Sequence, residues 1–141
     1  MRRIIAIALA ATFASAGAAG AETWKPYSEV SPKNIQWSYD SDYSYRDKKS
    51  GRVAVLTAAG KVGANPRIGP SGPGAADGAG AVVALDCRKT NFLFLSGFSP
   101  GKPLDIKDDW RKGDSHTVSD DPDNKALIAA VCPSAASLPE K

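Results

Sequence analysis

The 141-residue sequence contains a single histidine, His116, which restricts the catalytic sites that the chain can build. A catalytic triad takes its geometry from separate segments, whereas Asp114 and Ser115 are merely neighbours of this histidine along the chain. We therefore interpret His116 as a surface-loop residue, predict no catalytic residues and expect that the protein is not an enzyme. A weak hydrolase centred on His116 remains the less favoured alternative.

Clustered positive charge is also missing. The formal net charge is +3, but Arg2 and Arg3 belong to an N-terminal segment that resembles a signal peptide. Without them, sixteen basic and fifteen acidic residues remain. Nucleic-acid binding is typical of a basic face, so we predict no nucleic-acid partner.

No apolar run is long enough to cross a membrane, since a spanning helix needs about 20 residues. Residues 1–21 instead combine a positive start, a short apolar core over 4–14 and small residues ending at Ala21. This pattern predicts a secretory signal peptide that is cleaved between Ala21 and Glu22. No cysteine lies at that position to carry a lipid. We expect a periplasmic or secreted protein with no stable membrane anchor after cleavage.

Sequence motifs for cofactors and metals are absent as well. The Gly/Pro-rich stretch 58–80 lacks the spacing of a phosphate-binding loop, and Gly69 to Gly72 lacks the spacing of a nucleophile elbow. Residues 120–124 superficially resemble a calcium loop but lack its sixth-position glycine and closing glutamate. We therefore predict neither a cofactor nor a metal site. The stretch 58–80 is interpreted as a flexible connection, with a functional loop left open as the alternative.

Strand patterns fill much of the remaining chain. Residues 34–39 alternate apolar and polar side chains, a turn is predicted at 40–42, and a short extended piece follows around Tyr43 and Tyr45. Residues 52–57 form the next predicted strand, and the short connections indicate an antiparallel meander. The four aromatic residues at the start of this region are the candidates for a binding surface, although a core role is favoured: Trp37, Tyr39, Tyr43 and Tyr45.

Two further apolar runs lie in the second half of the sequence. Residues 81–87 read as a buried strand, and residues 91–98 are apolar on both faces, which indicates a central strand or one covered by a helix. Asp121 then provides an N-cap and Pro122 a first helical residue, so a helix is predicted to begin there and to end at Pro133. The domain is predicted to span 22–133, with a frayed tail over 134–141.

The two cysteines lie at the ends of these elements, Cys87 closing the strand and Cys132 closing the helix. An even number of cysteines in an exported chain favours a disulfide. Closing a loop of about 46 residues would contribute about 4 kcal/mol in the chain-entropy treatment. Two free buried thiols are the alternative.

The order of these parts resembles a known family. An early Trp24, strands around Tyr39-Asp40 and 52–55, a strand ending in Leu85-Asp86-Cys87 and a helix ending in Val131-Cys132 are similar to the surface-adhesin protein E-like family of small bacterial secreted domains. The resemblance implies an α+β fold, in which a small twisted antiparallel sheet of about five to six strands carries one C-terminal helix. It also implies a Cys87–Cys132 bridge.

The founding member of that family binds host extracellular-matrix and serum proteins. The resemblance therefore leads us to expect an exported, non-enzymatic protein that binds a protein or peptide partner at a sheet edge. The partner-binding residues and the oligomeric state stay unknown at this level. The alternative is a periplasmic inhibitor of a cell-wall hydrolase such as lysozyme, with the stretch 58–80 entering the enzyme's cleft.

Overall fold

The computed structural model describes residues 23–63, 80–98, 103–114, 116–117 and 121–141. The predicted signal peptide lies outside these ranges. Residues 64–79, the larger part of the predicted flexible connection, lie outside them as well.

Within the described residues, the chain forms a six-stranded sheet whose strands are arranged in sequence order and pair antiparallel throughout. A C-terminal α-helix packs against one face of the sheet, which confirms the predicted α+β fold. The elements are β1 Trp24–Pro26, β2 Ile35–Arg46, β3 Val53–Lys61, β4 Gly80–Asp86, β5 Asn91–Gly97, β6 His116–Thr117 and α1 Pro122–Val131, with 3₁₀ helices at Trp110–Lys112 and Cys132–Ser137.

The turn predicted at 40–42 is wrong, because β2 is one continuous strand. Its register against β3 shifts between Asp40 and Tyr45, so that residues 41–44 lie opposite the single residue Val55. The polar groups of this bulge are satisfied locally: Asp40 Oδ1 accepts hydrogen bonds from the backbone N–H groups of Thr23 (3.1 Å) and Asp42 (2.9 Å). Extra residues with their own hydrogen-bond partners bend a strand without reversing it.

The predicted limits of the 58–80 connection also need correction. β3 continues to Lys61, and β4 already begins at Gly80. Ala59 pairs with Trp37 and Gly60 with Gln36, so these small residues belong to the ladder with β2. Alanine and glycine carry little strand propensity of their own, and the neighbouring strand decides their conformation.

Both faces of the sheet are buried at its centre. The face under α1 and the opposite face each carry alternate residues of β3 and β4, as the strand periodicity requires. Residues buried under α1 are Val53, Val55, Val83 and Leu85, which cluster with Leu127 and Val131 of the helix. Buried residues of the opposite face are Ala54, Leu56, Val82, Ala84 and Leu93.

The buried carboxylate of Asp47 holds the segment around Arg111 and Gly113, which lies beside Leu93. Asp47 is 1% exposed, and its carboxylate accepts hydrogen bonds from the Ser50 backbone N–H (2.8 Å) and from Arg111 Nε (2.9 Å), with a second contact from the Arg111 guanidinium. A Cβ added to Gly113 would lie 3.7 Å from Leu93 Cδ2, which places this segment beside the sheet. The hydrogen bonds from Arg111, together with those from Ser50, hold the pKa of Asp47 well below its usual range.

The tail predicted to be frayed is ordered, and the domain continues past residue 133. The backbone N–H of Arg46 donates to the Pro139 carbonyl (2.8 Å), Lys141 N–H donates to the Arg46 carbonyl (3.0 Å), and Lys48 N–H donates to the Lys141 carbonyl (2.9 Å). β1 pairs with residues 38–40 of β2, and the tail pairs with the C-terminal end of β2, where Arg46 lies opposite Glu140. The end of a strand presents backbone groups that need partners, and the tail supplies them.

The start of α1 agrees with its prediction. Asp121 Oδ1 accepts a hydrogen bond from the Asp123 backbone N–H at 2.8 Å, which is N-capping geometry, and Pro122 occupies the first helical position. None of the helices in the described part of the chain has the length and apolar character needed to cross a membrane.

Candidate functional site

The two cysteines form the predicted disulfide. Cys87 and Cys132 are joined with their Cα atoms 5.7 Å apart, and Cys87 packs beside the core under α1. The bond ties the C-terminal end of α1 to the end of β4. A disulfide of this kind fits an oxidising compartment, and its role in the fold is structural.

At the opposite end of α1, the described residues leave part of the sheet uncovered. A helix of ten residues is about 15 Å long, and its buried residues Leu127 and Val131 both lie in its second half. The helix therefore covers the end of the sheet near the disulfide. Among residues that the structure describes, none covers the same face fully where the helix begins.

An open cavity of about 260 Å³ occupies this place, between the first turns of α1 and the sheet. Its floor comes from the strands and is apolar and aromatic, whereas its polar side chains come mainly from the helix. The lining residues are Tyr27, Trp37, Thr57, Gly80, Ala81, Val83, Leu85, Phe92, Phe94, Asp121, Asp123, Asn124 and Leu127.

Strand register brings the aromatic residues together. Phe92 pairs with Leu85 and Phe94 pairs with Val83, so both phenylalanines lie on the face under α1. Trp37 reaches the same face from β2, on the other side of β3 and β4. Phe94 is 61% exposed although its neighbour Leu93 is buried. The helix covers the position of Phe92 and stops short of Phe94.

Negative charge is concentrated on the helix wall. Burial raises the pKa of Tyr27, and the carboxylates of Asp123 and Asp121 raise it further, so the phenol stays protonated at neutral pH. The pKa of Asp123 is also raised, first by burial and then by Asp121. Burial is the larger cause of both shifts, and the smaller contribution of the carboxylates places two negative charges beside the apolar cavity.

The aromatic candidates separate into two groups. Trp37 lines the cavity, and Tyr39 packs against the core under α1 with its ring 6.4 Å from that of Tyr27. Tyr43 and Tyr45 contact each other instead, with ring centroids 5.9 Å apart. Trp37 is thus the one member of the four that lines the described cavity.

Of the other residues considered from the sequence, Asp121 and Asp123 line this cavity. The backbone of His116 pairs with Phe92 in β6, whereas its side chain lies outside the description. Asp121 and Asp123 act at the start of the helix, as their position predicted. In the described ranges, no three histidine, cysteine, aspartate or glutamate residues form a group that could hold a metal ion.

Three residues of the cavity were missed by the sequence interpretation. Tyr27 stands in a segment for which no strand or helix was predicted. Phe94 lies in a run predicted to be a central strand or one covered by a helix, and Asp123 lies in a helix start that already accounted for it. Only the apolar pattern of β5 carried a usable signal, because a strand apolar on both faces needs a cover on each. The shortness of α1 leaves one of those covers incomplete.

Comparison with known proteins identifies no relative: no family model matches the chain, and no significant match occurs among curated proteins or solved structures. The similarity to the surface-adhesin protein E-like family therefore stays a prediction from the sequence.

Proposed function

We propose that the chain is an exported, non-enzymatic protein of the surface-adhesin protein E-like type that binds a protein or peptide partner. The observation that supports this proposal best is the open cavity with the exposed Phe94 at its mouth. Cavities that hold a whole small ligand usually reach about 300–1,000 Å³. A volume of about 260 Å³ suits a side chain that a larger partner inserts.

The edge of the sheet beside the cavity favours an extended partner. β6 pairs with Asn91 and Phe92, and in the described part of the chain residues 93–97 pair on the β4 side alone. A row of backbone groups at a strand edge can accept an added strand, whose alternate side chains then enter pockets on one face. Phe94 belongs to both features, since it lies on this edge strand and lines the cavity.

Export is supported by the sequence and by the disulfide. The N-terminal pattern predicts cleavage between Ala21 and Glu22, and the Cys87–Cys132 bond fits the oxidising conditions outside the cytosol. We place the protein in the periplasm or in the secreted fraction. Fractionation of cells followed by mass determination of the processed N-terminus tests this part of the proposal.

The binding proposal is tested by capture from periplasmic extract with the immobilised protein and with its Phe94→Ala variant. A partner that the wild-type protein retains and the variant loses supports the proposal. Val30→Ala is the matched control, because Val30 is also an exposed apolar residue but does not line the cavity. Equal capture by all three proteins, or no capture by any, would contradict it.

Two assays separate this function from its alternatives. Inhibition of lysozyme at equimolar protein would favour the hydrolase-inhibitor alternative. Turnover of a substrate by the purified protein, abolished in His116→Ala, would show an enzyme and overturn the proposal.

A further inference from the structure

We propose that the cavity under the start of α1 binds a lysine or arginine side chain of the partner, an inference that rests on the proposed function. The two kinds of lining surface carry this argument. The strands provide an apolar floor, and the helix provides the carboxylates of Asp121 and Asp123. The ligand must therefore be apolar along its length and positively charged where it reaches the helix.

The floor fits the stem of such a side chain. Val83 and Leu85 lie at its centre, and Trp37 and Phe94 stand on opposite sides of them, from β2 and β5. Lysine and arginine place three or four methylene groups along apolar surfaces while the charged group stays near water. An acidic or short polar side chain would leave this surface uncovered.

The charge of the wall fits the head group. The first turn of a helix carries roughly half a positive charge, and the carboxylates of Asp121 and Asp123 outweigh it. Asp123 is half-buried at the cavity, whereas the cap residue Asp121 is exposed. Burial, and after it the neighbouring carboxylate of Asp121, raises the pKa of Asp123, and a cation beside Asp123 would offset both effects.

The aromatic rings add a second attraction for a cation. Tyr27, Trp37, Phe92 and Phe94 all line the cavity. The face of an aromatic ring attracts a cation within about 6 Å of its centre, most strongly for tryptophan. Carboxylates and aromatic faces thus favour the same sign of charge. A neutral side chain of equal length gains only the contact with the floor.

The experiment uses four capped pentapeptides, Thr-Thr-X-Thr-Thr, in which X is lysine, arginine, norleucine or glutamate. Norleucine is the matched control because it keeps the stem and lacks the charge. Each peptide is titrated into the purified protein, and the dissociation constant is measured from NMR shifts of the Trp37 indole. We expect the lysine and arginine peptides to bind about fivefold more tightly than the norleucine peptide, and the glutamate peptide to bind most weakly.

Asp123→Asn should reduce the preference for lysine over norleucine to less than twofold, while Asp123→Glu should restore it. Asp105→Asn is the matched control, since Asp105 is exposed and outside the cavity, and it should leave the preference unchanged. Asp121 is not substituted here because it caps the helix. Near-ultraviolet circular dichroism establishes that each variant is folded.

The outcomes separate the two proposals. Equal binding of the lysine and norleucine peptides would overturn the cationic preference and leave peptide binding intact. If no peptide binds but a partner is captured in a Phe94-dependent manner, the inference fails and the proposed function stands. If neither occurs, both fail.

Discussion

The two ends of α1 are held in different ways. At the C-terminal end, the helix is joined covalently to β4 through Cys87–Cys132, and the tail beyond it forms backbone hydrogen bonds with the end of β2. At the N-terminal end, the side chain of Asp121 caps the first turn, and the cavity lies directly beside it. The helix is thus anchored strongly where the core is closed and weakly where the surface is open.

This difference suggests how the fold can keep an apolar cavity. Empty space beside apolar side chains lowers stability, because the lining residues lose their contacts. A disulfide and the ordered tail stabilise the helix without filling that space. The end of the helix beside the cavity can then present side chains to a partner.

The largest effect should come from removing the covalent link at the closed end. We expect the double variant Cys87→Ala/Cys132→Ala to lose about 4 kcal/mol of unfolding free energy, measured by urea denaturation. Thiol labelling of the unreduced wild-type protein, denatured without reductant, should find no free thiol. Two labelled thiols, or a loss below about 1 kcal/mol, would contradict the role given to the disulfide.

A smaller loss is expected from Asp47→Asn, at a residue that follows the end of β2 and does not line the cavity. The substitution weakens the charged hydrogen bonds from Arg111 and should cost about 2 kcal/mol in urea denaturation. Asp105→Asn changes the charge equally at an exposed site and should cost less than about 0.5 kcal/mol. Equal effects of the two variants would contradict the importance of the buried pair.

The same pair predicts a pH dependence. Because the pKa of Asp47 is lowered in the folded state, its stabilising contribution is complete above the pKa of an unfolded aspartate, about 3.9. It is lost as pH falls below that value, since the unfolded state then binds the proton first. The difference in thermal stability between the wild type and Asp47→Asn should therefore be largest at pH 5–7 and decrease steadily as the pH falls below about 3.9. A difference in thermal stability that stays constant over the whole pH range would contradict this role of Asp47.

At the open end of the helix, Asp121→Ala should lower the unfolding free energy by about 1 kcal/mol, because it removes the carboxylate that accepts the capping hydrogen bond from the Asp123 N–H. Asp121→Ser keeps a capping oxygen and should retain most of the stability. If Asp121→Ala cost as much as the loss of the disulfide, the two ends would be held equally and the comparison would fail.

The smallest effect on stability is expected at the cavity itself. Phe94 is 61% exposed, so Phe94→Ala should change the unfolding free energy by less than about 0.5 kcal/mol. Leu93→Ala, at the buried neighbouring position, should cost about 3 kcal/mol. This matched pair of variants tests whether the face of β5 toward α1 is open.

Features that depend on local chemistry could be predicted from the sequence better than features that depend on strand pairing. Asp121 and Pro122 fix the start of the helix by local chemistry, and the even number of cysteines favours a disulfide in a chain that the sequence predicts to be exported. Local patterns failed where the outcome depended on pairing. Residues 40–42 bulge because Asp40 finds partners in Thr23 and Asp42, and the tail is ordered because β2 offers it a free strand end.

The cavity could not be predicted for a related reason. Its residues come from Tyr27, from β2, β3, β4 and β5, and from the start of α1, so they extend over residues 27–127 of the chain. Its existence depends on how far a helix of ten residues reaches across the sheet, which is a property of the packed molecule. The apolar pattern of residues 91–98 is equally compatible with a strand in which Phe94 is covered.

The central claim is that partners bind at the open end of α1, and a chemical-shift map tests it most directly. Titration of the lysine pentapeptide into ¹⁵N-labelled protein should shift the backbone signals of residues 121–127 and the indole of Trp37. The signals near Cys132 and Asp47 should stay in place. Shifts concentrated at the disulfide end or around Asp47, with the cavity unchanged, would contradict the account.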